Sequence, residues 1–124
     1  MKISLLSLLL IAGVSCSKQK NDCSKFKTGT FNYKDSESSE WVVTRNDSIQ
    51  IEYNKKRKIQ ITSSVEWISE CRYKLTYISI SNSPNDKRIG IPVTIDITRT
   101  LGNSYKFHAY NNFYETNNWM SKIN

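Results

Sequence analysis

The side chains able to do chemistry in this chain are few: one histidine, three cysteines and some short groups of charge. His108 can serve as a general acid or base only if a partner orients it. It stands between Phe107 and Ala109 in an alternating run, which sends it to the outer, solvated face in phase with Lys106. The nearest approach to an acidic cluster, Asp35-Ser36-Glu37 with Glu40, reads as a charged loop. One histidine and no closely spaced cysteine pair do not make a zinc site, and no nucleophile elbow or phosphate loop is present. Neither an enzyme nor a metal or cofactor is expected on these grounds. The strongest local charge is Lys55-Lys56-Arg57-Lys58, between Tyr53 and Ile59. A hairpin tip of this kind is either simply solvated or a contact patch for anionic lipid headgroups, lipopolysaccharide or an acidic partner. Nucleic acid is not expected, because the aromatic residues fall on inward positions and leave no free stacking platform.

Lys2 precedes the unbroken run Leu5-Leu6-Ser7-Leu8-Leu9-Leu10-Ile11-Ala12, the charged and apolar regions of a secretory signal over residues 1–15. The apolar stretch from Ile3 to Val14 falls well short of the roughly 20 residues that a membrane-spanning helix needs. The segment Gly13-Val14-Ser15-Cys16 resembles the lipobox cut by the lipoprotein signal peptidase, with Gly13 where Leu is usual. That resemblance implies a thioether lipid on Cys16, and its Ser-Cys ending is similar to those of Bacteroidota lipoproteins. Each buried CH₂ contributes about 0.8 kcal/mol, so several acyl chains hold a protein on a membrane without further apolar surface.

Residues 17–22 are polar and read as a flexible tether, leaving 23–124 as a single domain. With Cys16 taken by lipid, Cys23 and Cys71 remain as an even pair. In an oxidising compartment their natural use is a disulfide, which would close a loop worth about 4 kcal/mol of chain entropy; two buried thiols are the alternative. The whole chain carries a formal charge of +7, reduced by one when Lys2 leaves with the signal, and this favours acidic partners.

Period-2 alternation dominates the domain beyond the tether, with no helical stripe over ten or more residues. From Ile89 to Ile97 the odd positions Ile89, Ile91, Val93, Ile95 and Ile97 point one way, and Pro92 on the other face puts this strand at an edge or a bulge. Ile49-Ile51-Tyr53, Ile59-Ile61, Tyr73-Leu75-Tyr77 and Tyr105-Phe107-Ala109 repeat the pattern, one face of each going inward. Trp41 and Trp67 add to the inward aromatic content. Turns are expected at Asn46-Asp47, at Asn54 to Lys56, at Asn82 to Asp86 with Pro84, and at Gly102-Asn103 as a two-residue hairpin. Connections this short force antiparallel pairing. The chain is therefore expected to be all-β, an up-and-down meander of about seven or eight strands in a small or half-open barrel, with a two-sheet sandwich as the alternative. The stretch from Asn111 to Asn124 is a last strand or a cap.

The strings Cys23-Ser-Lys-Phe26-Lys-Thr-Gly29-Thr-Phe31, Glu40-Trp41-Val-Val-Thr-Arg45-Asn46-Asp47-Ser48 and Ser64-Val65-Glu66-Trp67-Ile68-Ser69-Glu70-Cys71-Arg-Tyr73 resemble small exported lipoproteins of flavobacteria. The likeness covers residues 23–77 well and the rest loosely. It implies a compact, lipocalin-like β domain in a family without an assigned activity. Some of its members carry a DNA topoisomerase label that a single exported domain has no room to fulfil. Asp47-Ser48-Ile49 resembles the acceptor motif for O-glycosylation of exported Bacteroidota proteins, which implies a sugar on Ser48; the other reading is a turn that delivers Ile49 to the core.

The expectation from the residues is a non-enzymatic lipoprotein of the cell envelope, held on a membrane through Cys16 and exposed on its periplasmic face or at the cell surface. Its work is binding or interaction. An apolar pocket at an open barrel end would make it a small-ligand carrier of lipocalin-like type. Action through edges and loops would make it an inhibitor or assembly partner of another envelope protein.

Overall fold

A computed structural model describes residues 22–35 and 38–124 of the chain. The signal segment, Cys16 and most of the tether lie outside the described residues, as do Ser36 and Glu37. A short 3-10 turn, Ser24–Phe26, leads into eight strands: β1 Gly29–Tyr33, β2 Trp41–Arg45, β3 Ile49–Asn54, β4 Ile59–Ser69, β5 Arg72–Ile80, β6 Pro92–Leu101, β7 Ser104–Tyr110 and β8 Glu115–Lys122. Every neighbouring pair is antiparallel, and β8 returns to β1 to close the barrel in simple sequence order. The meander expected from the short connections is therefore a fully closed, lipocalin-like barrel, with no free edge among the described strands. The C-terminal stretch is a strand, and it is the one that closes the wall.

Closure assigns each end of the barrel a set of connections. One end carries residues 34–35, 38–40, 55–58, 81–91 and 111–114; the other carries 46–48, 70–71 and 102–103 together with both ends of the described chain. The Gly102-Asn103 hairpin is the expected two-residue turn, with Leu101 paired to Ser104 and Gly102 at φ +58°. At Asn46 the side-chain oxygen accepts the Ser48 and Ile49 amides at 3.0 and 2.9 Å, so a local Asx turn sets the β2–β3 register.

Inside the wall Phe31, Val43, Val65, Tyr73, Leu75, Val93, Ile95, Ile97, Tyr105, Phe107 and Met120 form the core, with Trp67 packed against it. Alternation identifies the inward face correctly on β5, β6 and β7. Two expectations are corrected. The strand expected from Ile89 begins only at Pro92. Gly90 at φ +85° and the bond from the Ile91 amide to the Arg88 carbonyl keep the preceding residues in a turn. Pro92 thus occupies neither an edge nor a bulge but the first strand position, opposite Thr76, where a missing donor costs least.

The second correction concerns β3. Ile49, Ile51 and Tyr53 face away from the interior, while Gln50, Glu52 and Asn54 are buried. Cross-strand partners share a face, and the register pairs Gln50 with Arg45 and Glu52 with Val43. The tight turn at Asn46 therefore commits β3 to the face chosen by Val43 and Arg45 on β2.

Candidate functional site

The end of the barrel at which the described chain starts and stops is plugged. Phe26, fully buried on the 3-10 turn, lies 4.9 Å from the ring of Tyr105, and Cys23 just before it is joined to Cys71 on the β4–β5 turn by a disulfide. The bond expected from the cysteine count is present; it is of the kind made in an oxidising, exported compartment. Beneath the plug sits Arg45, only 2% exposed. Its Nε donates to Gln50 Oε1 at 2.7 Å, its Nη1 to the Phe26 carbonyl at 2.8 Å, and its Nη2 to the Tyr73 and Tyr105 hydroxyls at 3.0 Å each. The guanidinium carbon stands 4.7 Å from the ring centres of both Phe31 and Tyr73. A guanidinium keeps its proton at any physiological pH, so this is a buried fixed charge, satisfied by oxygens and by two ring faces.

Farther along β3 lies Glu52, which accepts a hydrogen bond from the Tyr33 hydroxyl at 2.8 Å. Burial pushes its carboxyl up from the usual value; the bond from Tyr33, the Arg45 charge and a bond from Gln50 pull the other way without cancelling it. The Tyr33 and Tyr73 phenols are held far above their ordinary value, in both cases first by burial. Ser63 faces the same interior with its hydroxyl buried and unpartnered.

Beyond this polar layer the barrel opens into a cavity of about 750 Å³, lined by Tyr77, Arg88, Ile91, Val93, Phe113 and Tyr114 among others. Most of that wall is apolar, and the size falls within the range of small-molecule sites. Arg88 lies across the Tyr77 ring at 5.8 Å and is paired with Asp86 at 2.9 Å. Hydrogen bonds from Arg88 hold the Asp86 carboxyl down at about 2. Burial first, and the Glu52 charge second, raise the phenols of Tyr77 and Tyr114, which places Glu52 within electrostatic reach of the cavity wall. An arrangement of this kind can enclose an apolar body, with hydrogen-bonding groups and cations at its margins.

The residues singled out from sequence fall in different places. Lys55, Lys56, Arg57 and Lys58 are all exposed on the β3–β4 connection, at the open end. Asn54 Oδ1 accepts the Lys56 and Arg57 amides at 3.1 and 2.9 Å and fixes that turn. Ser48 is exposed on the Asn46 turn at the plugged end, far from the cavity by topology. His108 is on the outer wall as expected, but it has a partner: its Nε2 lies 3.0 Å from Glu115 Oε2, and its ring stacks on Tyr110 at 4.8 Å. That pair sits outside the barrel and away from the cavity lining. In the acidic loop Asp35 accepts the Ser38 amide and an Asn118 side-chain amide, each at 2.6 Å, which is structural work. Among the described residues no group of three or more His, Cys, Asp or Glu is placed to hold a metal.

Of the aromatic residues expected on the inward face, Tyr77 lines the cavity. Phe113, Tyr114, Arg88 and Glu52 were not legible as site residues. The signal for the first two was the Asn111-Asn112 pair, which is turn chemistry. Asn111 Oδ1 indeed accepts the Phe113 and Tyr114 amides at 2.8 and 3.2 Å.

Fold and site together define a closed eight-stranded antiparallel barrel with one plugged end and a cavity at the other. Compared with family models, with curated proteins and with solved structures, the chain matches none.

Proposed function

We propose that this protein is a non-enzymatic lipoprotein of the cell envelope, held on a membrane through acylated Cys16, whose barrel binds a small apolar ligand in its open end. The observation that carries the reading is the cavity of about 750 Å³ walled by Tyr77, Ile91, Val93, Phe113 and Tyr114. A closed, fully packed interior would have removed it. The export half of the reading is supported by the Cys23–Cys71 disulfide and by the signal and lipobox pattern before it.

An environment-sensitive naphthylamine dye tests the cavity. Titration is expected to give saturable, blue-shifted fluorescence, and Val93→Trp, which fills the space, is expected to abolish it while far-UV circular dichroism is unchanged. Dye binding that survives Val93→Trp, or no binding by the unaltered protein, overturns the ligand reading. Labelled palmitate tests the anchor: incorporation that disappears in Cys16→Ala supports it, and no incorporation in the parent chain removes it.

A further inference from the structure

We propose that the open end of the barrel is a membrane-docking face, resting on an anionic phospholipid bilayer with Phe113 and Tyr114 in the headgroup region and Lys55, Arg57, Lys58 and Lys87 against the phosphates. The proposal goes beyond ligand binding and stands whether or not the cavity is filled.

Its basis is what the topology collects at one end. The β3–β4, β5–β6 and β7–β8 connections all emerge there. The first carries four consecutive exposed cations. Lys58 holds its place at φ +53°, a left-handed conformation that glycine adopts at less cost, so a cation sits where backbone geometry alone would favour its absence. On the β7–β8 connection Phe113 is 76% exposed and Tyr114 47%. A phenylalanine so bare contributes almost nothing to the core, and the Asn111 bonds to its backbone hold the turn that displays it.

The charges at this end do not cancel. Asp86 is engaged by Arg88 and Glu40 by Lys56 at 3.5 Å, while Asp35 is occupied by Ser38 and Asn118. Lys55, Arg57, Lys58 and Lys87 have no ion-pair partner among the described residues. Cations and exposed aromatic rings presented at the same end of a domain are the combination that an anionic bilayer interface binds, the rings entering the headgroup layer and the cations meeting phosphate. Here the apolar and basic groups are carried on separate tips rather than fused in one patch. A fluid surface can receive each tip independently, whereas a folded partner needs one contiguous complementary face.

Residues 22–124 contain every strand pair and the disulfide and serve for the test, free of any acyl group. Co-flotation is measured with phosphatidylcholine vesicles made with and without phosphatidylglycerol. The expected result is binding to the anionic vesicles only, weakened at about 0.5 M salt. Lys55→Glu with Arg57→Glu is expected to reduce it roughly tenfold or more, and Phe113→Ser severalfold. Both changes are at exposed tips, and circular dichroism checks the fold. If the charge reversal misfolds, Lys55→Gln with Arg57→Gln and the salt series on the unaltered chain replace it. Equal binding to both vesicle types, binding unchanged in the tip variants, or capture of polyglutamate without capture of vesicles overturns the proposal, the last in favour of an acidic protein partner.

Discussion

Arg45 and Gln50 face each other across the β2–β3 turn, and the 2.7 Å bond from Arg45 Nε to Gln50 Oε1 lies wholly inside the barrel. This pair explains why β3 buries its polar face. A guanidinium beneath the plug needs acceptors, and a register set by Asn46 delivers one. Arg45→Met is expected to cost about 3 kcal/mol, because it orphans the Phe26 carbonyl and Gln50. Gln50→Leu is expected to cost about 2 kcal/mol by leaving the Nε donor buried and unpaired. The double variant should cost less than the sum, since both remove the same bond. Urea unfolding measures all three.

Glu52 gives stability a pH dependence of definite sign. Its folded pKa is raised above the ordinary 4.5, first by burial. In the window from 4.5 up to the folded value the native state therefore holds a proton that the unfolded chain has lost, and unfolding free energy falls as pH rises. Above the folded value the cost is fully present. Glu52→Gln is expected to flatten this slope above pH 4.5. Asp86, held near 2, acts in the opposite sense and in a lower window, between about 2 and 3.8. A slope that persists in Glu52→Gln assigns the titration elsewhere.

Reduction of Cys23–Cys71 releases a loop with a sequence separation of 48 and is expected to cost about 4 kcal/mol. Phe26 would lose its pin, so the plug should loosen before the wall does. Hydrogen exchange in the presence of a reductant is expected to show early loss of protection at Phe26 and Lys27, whose amides bond to the Cys23 and Ser24 carbonyls. Uniform loss across β4 to β7 would refute that order.

Ser63 buries a hydroxyl with no partner. Ser63→Ala removes an unsatisfied polar group at little loss of volume, and a gain of about 1 kcal/mol in thermal or urea unfolding is expected.

Much of the wall was legible because its strands alternate cleanly. Ile95 faces Ala109 and Ile97 faces Phe107 across one hairpin, and burial agrees with the alternating pattern on both strands. Alternation failed on β3 because it is a statement about types. Ile49, Ile51 and Tyr53 look like a core face, yet a turn of three residues fixes phase relative to β2, and Arg45 and Val43 had already chosen the inside. It overran on β6 because Ile89 and Ile91 continue the rhythm through Gly90, whose backbone leaves the strand. The site was less legible than the wall. The cation run at Lys55 to Lys58 was visible as a tip, but the cavity depends on two connections, β5–β6 and β7–β8, meeting at one end, which the fold of the barrel brings about.

The plug also fixes where the tether joins. Asp22 runs directly into Cys23, so the chain enters at the sealed base, opposite the mouth. From Cys16 to Asp22 the backbone stretches no farther than roughly 20 Å. The 11 residues of β4, at the tilt usual in barrels, rise about 27 Å. A barrel held by acyl groups on Cys16 therefore cannot turn over to face the leaflet that holds it. It would stand on its base with the cup looking away, and whatever it takes up or hands over would cross to a second surface on the far side of the gap.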